Sequence, residues 1–154
     1  PIAIKYSKGD AYYGLKEYLE PIEYGKSELL FKGEKIALIA VGNMVEEAYE
    51  VYETLKEKGR EITLVNARFV KPLDEDMLLS LAKEHETVIT LEEHVYQGGY
   101  GQAVSAFYMN RGINNIKVRN IAIQDTFVEH GSVKELRKML KIDAEGVLNV
   151  IEGL

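Results

Sequence analysis

Residues 35–59 read KIALIAVGNMVEEAYEVYETLKEKG. Residues 36–41 are a continuous apolar run that ends at Gly42, the pattern of a strand buried on both faces. Asn43 follows, with Glu46 three residues on, a capping-box pattern with Asn in the cap position. Val45, Ala48, Val51, Tyr52 and Leu55 then recur at helical spacing, and Gly59 after Lys56 and Lys58 is a stop signal. A buried strand leading through a capped turn into an amphipathic helix is one unit of an α/β sheet.

The unit repeats outward from there. Residues 62–65 read as the next strand, and Asp74 caps a helix carrying Met77, Leu78, Leu81 and Ala82. Residues 87–91 are a further buried strand, 102–110 a helix and 116–123 a strand. Ser132 with Glu135 forms a capping box before a helix through Leu140, and Asp143 starts a short last helix. Strand and helix alternate throughout, which predicts a mostly parallel sheet with helices on both faces. Residues 28–31 read as an antiparallel edge strand, joined to 35–41 by a short turn at Lys32 and Gly33 and therefore expected to pair with it.

The chain has 154 residues, no cysteine, and 19 Lys plus Arg against 25 Asp plus Glu, a formal net charge of −6. The length suits one domain with an appended segment. Without cysteine there are no disulfides, thiolate metal sites or thiol nucleophiles. The acidic balance argues against a nucleic-acid partner, since phosphate contacts need clustered Lys and Arg. No apolar run approaches the ~20 residues that span a bilayer, so no membrane partner is expected. No basic region followed by an apolar stretch marks a signal peptide, and a cytoplasmic location is expected.

The first residues are unusual. The chain starts at Pro1 in an apolar strand pattern (Ile2, Ala3, Ile4, Tyr6) and is expected to be a piece of a longer chain. Tyr6, Tyr12, Tyr13, Tyr18 and Tyr24 share this region with Gly9, Gly14, Pro21 and Gly25, without a clean period. It reads as an irregular arm, packed either on another domain or subunit or on its own domain.

Four segments are candidate sites. Gly98, Gly99 and Gly101 lie between a strand and a helix, where backbone amides could approach a phosphate. The dinucleotide fingerprint fails, because Val104 stands where it needs a small residue, and a turn that lets the helix pack closely is the plainer alternative. Glu92, Glu93 and His94 sit at a strand's C-terminal end, and Glu129 with His130 at the corresponding end of a later one. Together they suggest an acid–base pair or a metal-assisted hydrolase, against solvated or interface charges. Lys8, beside Gly9, could hold a phosphate as a point charge or be simply solvated. Arg68 leaves a strand and could bind an anion or a partner carboxylate, or belong to a structural corner filled by Phe69 and Leu73. No nucleophile elbow, serine triad or P-loop is present, so no catalytic constellation is complete.

Five segments occur in a familiar order: 5–9 KYSKG, 66–74 NARFVKPLD, 92–101 EEHVYQGGYG, 125–131 DTFVEHG and 140–146 LKIDAEG. Together they resemble, over essentially the whole chain, the C-terminal part of the 1-deoxy-D-xylulose-5-phosphate synthases, thiamine-diphosphate enzymes of the transketolase group. The resemblance implies a three-layer α/β/α domain with a mixed, mostly parallel five-stranded sheet and one antiparallel edge. It divides the chain into 1–32, the end of a preceding domain with a connecting arm and edge strand, and 33–154, a transketolase C-terminal-like domain. In the full enzyme, thiamine diphosphate and magnesium are held by preceding domains, so this part is expected to hold no cofactor, metal or catalytic residue and to be inactive alone. Its implied partners are the preceding domains of the same chain and a second subunit of a homodimer. The one family substrate residue implied here is Lys8, on the acceptor phosphate, where the family usually has Arg. Arg68, Glu92, Glu93, His94, Gly98, Gly99, Gly101 and His130 are left as interface or loop candidates.

Overall fold

A computed structural model describes residues 1–4, 6, 12–15, 17 and 21–154. Lys8, and with it the expected phosphate contact, lies outside the described residues. Among the described residues five strands, β1 (Glu28–Phe31), β2 (Lys35–Ala40), β3 (Thr63–Asn66), β4 (His85–Val95) and β5 (Lys117–Ile123), form one sheet in the order β1-β3-β2-β4-β5. The helices are α1 (Met44–Glu57), α2 (Glu75–Glu84), α3 (Tyr100–Asn110), α4 (Val133–Leu140) and α5 (Ala144–Glu152). β2 to β5 pair in parallel and only β1 is antiparallel.

The apolar run of β2 explains the layering. Ile36, Leu38 and Ala40 point into one core with α1 and α5, and Ala37 and Ile39 into a second core with α2 and α3. β3 divides the same way at Leu64 and Val65, and β4 at Ile89 and Val88. Side chains alternate across a strand, so a sheet covered on both faces needs an apolar residue at every position.

Two expectations are corrected. β1 does not pair with β2; it crosses to the far side of β3 and pairs there. Both edges of β2 are already occupied, by β3 and β4. Gly33 makes the crossing: its amide donates to Thr63 Oγ1 at 2.9 Å, and a Cβ there would lie 2.5 Å from the Glu61 carbonyl oxygen. Asn43 precedes α1 but makes no side-chain cap. Residues 2–4 and 6, assigned above to the end of a preceding domain, join no strand of this sheet, and Ile2, Ile4 and Tyr6 are exposed. Element limits shift by a residue or two elsewhere, most at β4, which runs to Val95, and at α3, which starts at Tyr100.

Elsewhere in the arm a few described side chains touch this domain, while Tyr13, Ile22 and Tyr24 stay largely exposed. Tyr12 lies 6.5 Å from Tyr49, Leu15 packs on the α1 core, and Tyr24 meets Phe69 edge-on at 5.6 Å.

Ser132 caps α4 as predicted: its hydroxyl accepts from the Glu135 amide while the Glu135 carboxylate accepts from the Ser132 amide. Ser132→Ala should cost about 1 kcal/mol of stability, read by urea unfolding. The Ser132 hydroxyl, then its amide, holds the Glu135 carboxyl below the ordinary range. A lowered folded value means that the carboxylate's part of this contribution is present at neutral pH and lost as pH falls through it, so the gap between wild type and variant should narrow in acid without closing, because the Ser132 hydroxyl still accepts from the Glu135 amide.

Candidate functional site

The C-terminal ends of the parallel strands collect most of the candidates, as ligand sites do in open α/β sheets. Glu92, near the end of β4, is 3% exposed. Its carboxylate reaches the N-terminus of α3, where Oε2 accepts from the Tyr100 amide and Oε1 from the Gly101 amide, each at 2.8 Å. A carboxylate there meets both the unpaired amides and the positive end of the helix dipole. The preceding amides are also paired, Gly98 with Gln102 Oε1 at 2.6 Å and Gly99 with the Tyr96 carbonyl at 3.2 Å. The anion position that the glycines suggested is therefore filled by the protein's own side chain.

The glycines serve this closure. A Cβ on Gly99 would lie 2.6 Å from Glu92 Oε1, and one on Gly101 would lie 2.4 Å from Thr90 Oγ1. Beneath Gly101, Thr90 Oγ1 donates to Asn120 Oδ1 at 2.9 Å, Asn120 Nδ2 to Ser105 Oγ at 2.8 Å, and Ser105 Oγ to the Gly101 carbonyl at 3.0 Å. This chain ties β4, β5 and α3 together. Only the finished sheet brings its members, 15 and 30 residues apart, into contact.

Glu93 faces the other way. It accepts from Asn43 Nδ2 at 2.5 Å and from Arg137 Nε at 3.0 Å. Arg137 also donates to Glu47 Oε1 at 3.1 Å, and Glu47 Oε2 accepts from the Ala144 amide at 2.9 Å. One buried guanidinium thus joins α1, the end of β4 and α4, and Glu47 carries the link on to α5. Burial alone would lower the Arg137 pKa; hydrogen bonds and charge from Glu93, then Glu47, outweigh it and hold it above its ordinary value. Asn43, whose Nδ2 is held by Glu93, has helical backbone angles (φ −63°, ψ −14°) in place of the extended ones of a capping residue.

Arg68 has a left-handed backbone, φ 53°, and pairs with Glu28 at 2.5 Å, while Asn66 Nδ2 donates to the other Glu28 oxygen at 3.2 Å. The Glu28 carboxylate thereby fastens β1 to the end of β3. His94 and His130 are exposed, and His94 Nδ1 faces the Val95 carbonyl at 3.0 Å. Among the described residues no three His, Asp or Glu side chains gather as a metal site would require. The hydrolase suggested by Glu92, His94, Glu129 and His130 is therefore not assembled, because Glu92 and Glu93 are turned inward onto α3 and Arg137.

Sequence inspection did not single out Arg137 or His85. His85, buried at the start of β4, lies 2.7 Å from Thr63 Oγ1 and 3.2 Å from the Leu81 carbonyl, a structural corner.

These features define a three-layer α/β/α domain whose loop edge is braced by its own carboxylates. The chain belongs to the family described as "Transketolase, C-terminal domain", whose model matches residues 25–147. It is 48% identical over 98% of its length to a 1-deoxy-D-xylulose-5-phosphate synthase of Lachnoclostridium phytofermentans, and 44% identical over its whole length to one of Clostridium tetani. It spans 24% and 25% of those relatives. Among solved structures it resembles "Split gene transketolase, inactive beta4 tetramer", with a TM-score of 0.78 and 26% identity, covering 86% of this chain and 43% of that one.

Proposed function

We propose that these residues are the C-terminal domain of a 1-deoxy-D-xylulose-5-phosphate synthase, the enzyme that decarboxylates pyruvate and joins the two-carbon unit to glyceraldehyde 3-phosphate. The observation that carries this is the 48% identity to such a synthase over nearly the whole chain, of which the chain spans about a quarter. The division follows the same reading: 1–32 as the end of a preceding domain with arm and edge strand, 33–154 as the domain itself, within a cytoplasmic homodimer.

The role of the domain is structural and subunit-packing. The full enzyme would use thiamine diphosphate with magnesium, which would supply the electron sink for decarboxylation. The described residues do not fit that group. The helix N-terminus that would receive a diphosphate already holds the Glu92 carboxylate, a fixed anion that would repel it.

The test is turnover of pyruvate with glyceraldehyde 3-phosphate. The longer polypeptide that carries these residues should form the sugar phosphate, and the 154-residue chain alone should not. Turnover by the short chain, or none by the long one, would refute the reading. Lys8 supplies a charge for the acceptor phosphate. Lys8→Ala in the long chain should therefore raise KM for glyceraldehyde 3-phosphate about tenfold, with KM for pyruvate unchanged.

A further inference from the structure

Between β5 and α4, residues 124–131 are all exposed, and Phe127 is 106% exposed, as open as in a free peptide. The stretch is nonetheless held at both ends. On one side the Ile123 carbonyl accepts from the Tyr96 amide at 2.8 Å. On the other, the Ser132–Glu135 capping box and the buried Arg137 fix α4. Val128 and Val133 add further exposed apolar surface. A fully solvated aromatic on an anchored loop is poor design for a free surface but suits an interface anchor, which needs exposure before binding and little ordering on binding.

The flanking charges select the partner. Asp125 and Glu129 bracket Phe127 and Val128, both are exposed, and among the described residues no ion pair reaches either. Two such loops would bring like charges together, which disfavours loop-to-loop contact with a second copy of this chain. The same carboxylates disfavour a phosphate-bearing surface. They fit an apolar socket rimmed by Lys or Arg. The relatives are about four times as long as the matched region, so most of such a protein lies outside it and is available to supply that socket.

We propose that the 124–131 loop is a docking element, with Phe127 inserted into a basic-rimmed apolar socket on another domain of the same polypeptide. This rests on the synthase reading, whose partner domains it would engage.

The test places the photo-crosslinker p-benzoylphenylalanine at position 127 of the longer polypeptide, with Met109, also exposed but on α3, as control. Position 127 should cross-link within the polypeptide, to an apolar segment flanked by Lys or Arg outside residues 1–154, several-fold more than position 109. Asp125→Lys with Glu129→Lys should lower that yield several-fold. Equal yields at the two positions, cross-links to residues 1–154 of a second copy, cross-links to a different protein, or a yield indifferent to the charge reversal would overturn the proposal. Turnover in the same samples separates the two readings. An active synthase without the cross-link overturns the docking alone, and a cross-linked chain without turnover overturns the synthase reading alone.

Discussion

Glu92→Ala should lower the unfolding free energy of this chain by about 3 kcal/mol, since two buried backbone amides lose a charged acceptor and find no water. For a chain of this size that is a fall in Tm of roughly 6–12 °C. Glu92→Gln tests the cause. Its carbamoyl oxygen can still accept from one amide, but its NH2 group faces the other, donor against donor, so a loss of about 2 kcal/mol is expected at nearly constant volume. Urea unfolding of the three proteins measures both values. A change below about 0.5 kcal/mol for the alanine variant is what an ordinary surface glutamate would show, and it would mean that the carboxylate does not close the end of α3.

Arg137→Met should cost nearly as much, about 2–3 kcal/mol, because Glu93 and Glu47 are left half-buried without their cation. The loss should come mainly from those stranded charges. Adding Glu93→Gln to Arg137→Met should therefore recover part of it, and the double-mutant cycle should give a coupling of about 1 kcal/mol or more. Arg137→Lys should not rescue, since an ammonium cannot span both carboxylates as the guanidinium fork does. Additive single and double variants would show that the three groups do not act as a unit.

The parts of this fold that were legible from sequence are those decided by short-range pattern. Residues 36–41 announced a strand buried on both faces, and the structure divides them between two cores. Asp74, Ser132 and Asp143 announced three helix starts, and each side chain accepts from the amide three residues on. The errors fall where a second, distant group competes. The turn at Lys32 and Gly33 signalled a change of direction, but spacing alone cannot show that both edges of β2 are taken, and β1 went to β3 instead. Asn43 with Glu46 has capping-box spacing, yet Glu93, 50 residues away, engages its amide.

The site was legible only in outline. Glycines beside a strand end and a carboxylate pair were visible, but not that Glu92 folds back across eight residues to fill the position the glycines opened. Arg137 gave no signal at all. In KELRK it looks like any solvated helix position, and only the packing of α4 onto the end of β4 buries it.

We propose that the strand-end edge of this domain is closed by its own carboxylates and takes no ligand at the start of α3. The most direct test is a 15N–1H NMR titration of the chain with magnesium thiamine diphosphate and with ATP, following the Tyr100 and Gly101 amides. Those two resonances are predicted to stay in place at every concentration of either ligand. Saturable shifts of both, with one-to-one stoichiometry, would contradict the claim.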